Sequence, residues 1–549
     1  MPRHPRLAFL SPSHVGALRQ LGLLVIALLL ACAPLTAAPT PFARLQLGQT
    51  TLEVATVAGD LVAPFDLAWG PDNHLWLTQL EGKVWRFNPA TGERTLVLDL
   101  ADRIFHRRSH GLLTLAFHPW FATAPYVYLH YVYQVPTRGA QEVVRSRVVR
   151  CRWDGARLGE PETIFDNIPG ASYHNGSRLA FGPDGKLYVS TGDAGDTPAS
   201  LDPARLSGKI LRLNPDGTIP ADNPNPGSPV WTLGHRNVQG LAFAANGRIY
   251  LSDHGANNDD EINLLEPGRN YGWPTIEGFI DRPHEIAAAK ERRFTEPLRA
   301  WTPTIATAGL AYYDHAAIPE WRGHLLLANL KGRALRVLPL NATGDAITGE
   351  HIFLQERLGR IRQVCVSPTG DVYLLTSNTD WHPRFQPWMY SGLPTAPDRI
   401  VRLCAVAAAD ATRLAALPEW REDLSPLPLM SENWSLPPTT EALRAGQQLY
   451  ALHCLPCHGP TGQGAPGLIP PLTNTDWVKN KNRLLQVVLN GLSGPIEVNG
   501  VAYQQEMPAF RQLSDDDLAA LLTYVRASFE NKSEAVTPAE VAEERKGLK

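Results

Sequence analysis

Between residues 60 and 405 one pattern of hydrophobic and polar positions recurs along the chain. An apolar strand runs into a turn built from Pro, Asp, Asn or Gly. A second strand with aromatic residues follows, and a third carries Arg and Leu. The first copy is Asp66-Leu-Ala-Trp-Gly-Pro-Asp-Asn-His-Leu-Trp-Leu-Thr78, completed by Gly82 to Pro89. Further copies start at Leu113, Ser177, Gln239, Gly309 and Arg362, the third reading Ser177-Arg-Leu-Ala-Phe-Gly-Pro-Asp-Gly-Lys-Leu-Tyr-Val-Ser190. Apolar runs rich in β-branched and aromatic residues, split by Asp-Gly or Asn-Gly, predict hairpins. A unit that cannot bury both faces alone, repeated six times, predicts radial stacking into a six-bladed β-propeller. A β-sandwich would use similar strands without so regular a period. Longer insertions follow residues 98, 133, 193 and 265 and fill 376–398; propellers carry such connections on their end faces, where binding residues sit.

The pattern changes at Ala405. Residues 406–439 are rich in Ala and Pro and read as a linker. From 440 to 530 the spacing of apolar residues becomes helical, beginning with Glu441 to Leu452 behind the possible cap Thr440. Residues 531–549, rich in Glu and Lys, read as a solvated or frayed tail. The expected class is thus mainly β, a propeller domain over 39–405 followed by a small all-α domain.

Length agrees, since 549 residues exceed what one core organises. The net charge of −3 gives no reason to expect nucleic acid as a partner. At the N-terminus Arg3, Arg6 and Arg19 precede the apolar run Leu21 to Leu30 and a small-residue stretch to Ala38, which reads as an export signal over 1–38. Cleavage near Ala37 or Ala38 fits. Leu29-Leu30-Ala31-Cys32 also resembles a lipoprotein box, which would tether the chain to a membrane through Cys32. Of the six cysteines, Cys151, Cys365 and Cys404 lie in strands and permit one disulfide or none.

Cys454-Leu-Pro-Cys457-His458 has the spacing for covalent haem c, with two thiols for the vinyl groups and an imidazole for the iron. A zinc half-site would need a second ligand pair, and a redox dithiol would want a βαβ context. The chain has only four Met, and Met507, in Glu506-Met-Pro-Ala-Phe510, is positioned to be the other axial ligand. Residues 440–530 resemble class I cytochromes c.

In the propeller, His, Arg and Lys sit in turns that are otherwise apolar: Tyr173-His174, His235-Arg236-Asn237, His254, Lys331 and Arg360-Ile-Arg362. These lie at equivalent strand ends, so a propeller would gather them at one mouth of its channel. A cluster of Arg236, Lys331, Arg360 and Arg362 calls for an anionic ligand.

The runs WTLGHRNVQGLAF, NNDDEINLLEPGRNYGWP and GLLTLAFHP, with Lys331 and Arg360-x-Arg362 behind them, resemble the soluble glucose/sorbosone dehydrogenases that use pyrroloquinoline quinone (PQQ). The resemblance spans about 60 to 403. It implies oxidation of an aldose sugar or related alcohol by hydride transfer to PQQ, with His174 as general base and Arg236 at the reactive carbonyl. Lys331, Arg360 and Arg362 would bind the carboxylates of PQQ, and Asn237 and Thr304 would contact its ring. Backbone carbonyls of Gly255 and Ala256 would hold a catalytic Ca²⁺, and Asp260, Glu261 and Tyr271 a second, structural Ca²⁺. Electrons would pass to the haem and on to a downstream acceptor. The chain departs from the family at three positions. Tyr173 stands where an Asp precedes the base, Ser109 (beside His110) where a Gln contacts the ring, and Ser377 where an acid is expected. The partner of His174 is thereby left unassigned. Two other readings remain at this point: a cofactor-free propeller scaffold tethered to a cytochrome, and a calcium-dependent propeller lactonase.

Overall fold

A computed structural model describes residues 39–546 apart from 137–142, 257, 381, 383–392, 395–396, 408–409, 411, 424–440 and 512. The export segment with Cys32, and the possible cap Thr440, lie outside the described residues.

Six sheets, antiparallel but for one short edge pair in the sixth, stand around one axis. The first blade runs Pro64–Trp69, Leu75–Gln79, Lys83–Phe87 and Arg94–Asp99, from the axis outward. Blades two to five begin with inner strands Leu112–Phe117, Leu179–Phe181, Val238–Phe243 and Thr307–Tyr313, each sheet having four strands. The sixth contains Ile361–Val366, Val372–Thr376 and Asp398–Ala405. Its fourth strand comes from the other end of the domain: Thr50–Leu61 pairs antiparallel with Asp398–Ala405, and Thr40–Leu47 continues the sheet. The ring is therefore closed by hydrogen bonds between the ends of the domain.

The recurrent residues of the repeat have a common use. In the first blade the turn residue Asp72 accepts hydrogen bonds from Trp76 Nε1 at 3.1 Å and Arg86 Nε at 2.7 Å. In the third, Asp184 accepts from Tyr188 Oη and Arg212 Nε, both at 3.0 Å. In these two blades the turn acid, the aromatic residue of the second strand and the Arg of the third are thus tied together. Between blades, Leu, Val and Ile side chains pack in continuous clusters, such as Leu187, Val189, Leu211 and Leu213 against Val148 of the preceding blade. Each such side chain contributes roughly 1.5–3 kcal/mol on burial. Across the axis, Asp66 accepts hydrogen bonds from Arg178 and Gln363, and Arg178 donates to the Gln239 carbonyl. This buried network links four blades and fixes the floor beneath the channel mouth.

Two sequence expectations need correction here. The first half of the segment read as a linker belongs to the propeller: Glu419–Trp420 pairs parallel with Thr40–Leu47, Trp420 packs on Phe42, and Asp423 N–H donates to Ile352 O. The tail read as frayed carries a helix, Pro538–Lys546, with Val541 fully buried and Arg545 donating to the carbonyls of Arg511 and Leu513. A single apolar anchor plus capping of neighbouring backbone orders a segment whose composition alone looks solvated. Cys151, Cys365 and Cys404 carry free thiols.

The C-terminal region is helical, with a short hairpin of Ile496–Val498 and Val501–Tyr503. Its helices Glu441–His453 and Asp515–Ala527 cross at Gly446, where a Cβ would stand 2.2 Å from Ala520 O. Ser514 caps the second helix, accepting from Asp517 N–H at 3.1 Å ahead of three acidic residues in the first turn.

Candidate active site

The loops at one end of the propeller enclose a cleft of about 420 Å³, within the usual size of a small-molecule site. Most sequence-predicted residues meet in it: His174, Arg236, Asn237, Gly255, Ala256, Asp260, Thr304, Lys331, Arg360 and Arg362.

His174 is placed by two backbones in close contact. A Cβ on Gly192 would stand 1.9 Å from His174 O, and one on Gly176 would stand 2.5 Å from Gly192 N, so both positions require glycine. His174 itself adopts φ +54°, a left-handed conformation that a non-glycine residue holds at some cost. The packing brings His174 Nδ1 to 2.9 Å from Asp193 Oδ1. Asp193 is fully buried and also accepts from Gly195 N–H and Trp273 Nε1, each at 2.9 Å. Burial alone would raise its carboxyl; His174 and Arg236 outweigh that and hold it below the usual range. Burial, then Arg236, lowers the imidazole of His174, while Asp193 works in the opposite direction. Tyr173, at the position of the missing acid, lies edge-on against the imidazole at 4.7 Å. The partner that the sequence left open is therefore Asp193, in the insertion after the third blade's second strand.

The cationic cluster divides in two. Arg360 Nη2 and Arg362 Nη2 reach Asp380 Oδ2 at 2.7 and 3.3 Å, and Ser377 Oγ donates to the same oxygen at 2.9 Å. Burial would raise Asp380, but Arg360, His382 and Arg362 hold it well below the carboxylate range. The acid missing at Ser377 is thus supplied three residues on. Asp380 balances one of the two arginine charges, so the pair keeps a net positive charge in the cleft that both residues line. Lys331 differs: its Nζ donates to Thr304 Oγ1 at 3.1 Å, and it makes no ion pair among the described residues. Burial lowers it, with Asp260 opposing. Arg236 lies over the Trp273 ring at 5.2 Å with its Nε buried and lacking an acceptor. Those two cations are short of acceptor atoms, which suits an anionic ligand in the cleft. Asn237 Oδ1 accepts from Gly176 N–H at 3.1 Å, linking Asn237 to the loop that carries His174.

The expected structural calcium set does not converge. Asp260 and Glu261 are consecutive on a strand and face opposite sides. The Asp260 carboxylate accepts from Gly255 N–H at 2.8 Å and from Ile305 N–H at 2.7 Å, bracing the backbone at Gly255 and Ala256. Glu261 accepts from Gly278 N–H and Asn263 Nδ2, both at 2.8 Å. Burial, then the Asp253 carboxylate, push Glu261 up to about 8. Tyr271 Oη donates to Leu264 O at 2.5 Å while its ring stacks on His235. These three side chains form no single cage, and Asp260 braces the backbone at Gly255 and Ile305 instead.

In the helical domain Cys454, Cys457, His458 and Met507 line one apolar cavity. His458 Nδ1 lies 2.9 Å from Pro470 O, which fixes the ring and leaves Nε2 for the cavity. Met507 is held by reciprocal backbone bonds to Leu492, each 2.9 Å. The domain sits on the propeller's mouth, and His453, Cys457, Pro508 and Phe510 line both this cavity and the propeller cleft.

Fold and site together define an oxidoreductase-type propeller with a cytochrome c domain seated on it. A family model for glucose/sorbosone dehydrogenase matches residues 61–382, and one for the cbb3-type cytochrome c oxidase subunit III matches 441–525. The chain belongs to the glucose/sorbosone dehydrogenase family. It is 30% identical to quinoprotein glucose dehydrogenase B of Acinetobacter calcoaceticus, over 62% of this chain and 88% of that protein. The PQQ-bound structure of aldose sugar dehydrogenase from Streptomyces coelicolor superposes with a TM-score of 0.54 at 34% identity, covering 67% of this chain and all of the other. The C-terminal region is 39% identical to cytochrome c-552 of Thermus thermophilus, over 15% of this chain and 67% of that protein.

Proposed function

We propose that this protein is a PQQ- and Ca²⁺-dependent dehydrogenase of aldose sugars or related alcohols that delivers electrons to covalent haem c in its own C-terminal domain. The observation that carries this reading is the shared wall: the cleft holding His174, Arg236 and Lys331 and the cavity holding His458 and Met507 have four lining residues in common. Neither a lactonase nor a bare scaffold has a use for that wall.

Lys331, Arg360 and Arg362 would hold the carboxylates of PQQ, Asn237 and Thr304 would bound its ring, and Gly255 and Ala256 would offer carbonyl oxygens to Ca²⁺, a hard cation that favours oxygen ligands. When bound, PQQ with Ca²⁺ supplies a polarised carbonyl that accepts two electrons from the sugar. The chain's own residues handle the proton. Nδ1 of His174 is engaged by Asp193, so Nε2 takes the hydroxyl proton. Asp193, held by Trp273 and Gly195, steadies the imidazolium that results. Arg236, fixed over Trp273, keeps positive charge at that end of the cleft. Cys454 and Cys457 would carry the haem between His458 and Met507, with a downstream carrier as final acceptor. Among the described residues no helix is long and apolar enough to cross a membrane, and we place the protein outside the cytoplasm through its 1–38 segment, ending near Ala38 or lipidated at Cys32.

Purified haem-loaded protein should oxidise aldoses with an artificial acceptor only after addition of Ca²⁺ and PQQ. No gain with any aldose or alcohol would overturn the reading.

A further inference from the structure

The contact between the two domains is specific. Arg107 Nη2 lies 2.8 Å from Glu506 Oε2. Arg108 Nη2 donates to the Glu506 carbonyl at 2.7 Å and to Gln505 Oε1 at 3.4 Å. Both arginines lie in the insertion between the first and second blades, immediately before Ser109, which also lines the cleft. Their partners immediately precede Met507. One short loop of the cytochrome domain therefore carries both the expected iron ligand and the propeller contact.

Beyond that loop, His453, Pro456, Cys457, Pro508 and Phe510 form the cytochrome's side of the cleft, while the propeller's side carries His174 and Arg236. A sugar ring has apolar C–H faces and a polar hydroxyl rim. A proline and aromatic surface opposite a proton acceptor and a cation complements both parts of such a molecule. The cleft, about 420 Å³ as bounded from both sides, has to take cofactor and substrate together. Lifting the cytochrome would leave it open on the propeller's end face.

We propose that the cytochrome domain is the roof of the sugar cleft, latched by Arg107 and Arg108 on the Gln505–Glu506 turn, so that the latch sets which sugars enter. The proposal rests on the sugar-dehydrogenase reading for its substrate but not for its geometry. The Arg107 and Glu506 side chains are 40% and 32% exposed, so salt weakens the latch. Closed protein admits short sugars, and opened protein admits longer ones as well.

The test uses the full haem-loaded chain. Small-angle scattering without PQQ reads the domain arrangement, and steady-state kinetics with PQQ, Ca²⁺ and an artificial acceptor reads sugar size. Arg107→Glu should enlarge the radius of gyration at low ionic strength, as high salt should in the unaltered chain, while Arg107→Lys stays compact. The ratio of KM for a maltotetraose probe to KM for glucose should fall roughly twofold to fivefold in Arg107→Glu, the range of an exposed ion pair. Should Arg107→Glu fail to fold, Arg107→Ala and the salt series carry the same readouts. Unchanged dimensions across variants and salt would overturn the latch. An expanded chain with an unchanged KM ratio would overturn the roof. Salt-dependent expansion in a chain that oxidises no sugar would overturn the sugar-dehydrogenase reading and leave the latch standing.

Discussion

Nδ1 of His174 stands 2.9 Å from Oδ1 of Asp193, a carboxylate with no exposed surface that is held in turn by Trp273 and Gly195. The pair has the geometry of a base and its orienter, assembled by two glycines that allow their loops to touch.

That arrangement has a pH signature. The neutral imidazole is the active form, and burial with Arg236 places its pKa below the ordinary value, so kcat/KM should reach its plateau already near neutral pH. The acid limb should lie below pH about 6.5. Asp193 raises that pKa, so Asp193→Asn should move the limb to lower pH while also lowering kcat. His174→Ala should cost about 10²–10⁴-fold in turnover and leave PQQ affinity nearly intact. A limb that stays in place in Asp193→Asn would mean that the carboxylate only props the loop.

Lys331 and Arg360 should separate when replaced. Among the described residues the Lys331 ammonium has only a hydroxyl partner, so Lys331→Ala should weaken PQQ binding by about 1.5–3 kcal/mol with little change in Tm of the quinone-free protein. Arg360 is fully buried against Asp380, and its loss leaves a buried carboxylate with one cation fewer. Arg360→Ala should therefore lower Tm as well, by a cost of about 3–5 kcal/mol if the pair behaves as others do. Titration calorimetry and melting curves distinguish the two; equal melting losses would contradict the division of the cluster.

The haem should be covalent and hexacoordinate. Denatured protein should retain haem after acid-acetone extraction and give a c-type pyridine haemochrome; extractable haem would remove Cys454 and Cys457 from the assignment. Met507→Ala should keep the covalent haem but lose the sulfur-to-iron band and lower the reduction potential, because a thioether ligand raises it.

The blades were legible because their turns are written locally: Asp72 and Asp184 precede their aromatic and arginine partners at fixed positions in the repeat. The cytochrome c domain was legible because its motif is contiguous from Cys454 to His458. Asp193 and Asp380 were not. Each lies in or beside an insertion outside the repeat, and each meets its partner through tertiary packing rather than spacing. The strand Thr50–Leu61 reads as an ordinary apolar segment, and only ring closure shows that it completes the sixth blade. Asp260, Glu261 and Tyr271 were grouped by the family resemblance, whereas a strand sends the side chains of Asp260 and Glu261 to opposite faces.

The shared wall finally decides how electrons should leave the propeller. His453, Cys457, Pro508 and Phe510 separate the two cavities, so the expected thioether at Cys457 borders the cleft proposed for the sugar. A sugar gives up two electrons and a haem takes them one at a time, so the haem must discharge between steps or wait for a downstream acceptor. In a separate cytochrome each step would need a diffusional encounter; on one chain the partner is present at an effective concentration in roughly the millimolar range. Stopped-flow mixing of PQQ-loaded protein with an aldose should show the haem band reduced at a rate independent of protein concentration. A rate rising linearly with concentration would mean transfer between molecules. Rapid sugar oxidation with an unreduced haem would mean that the wall insulates the two sites.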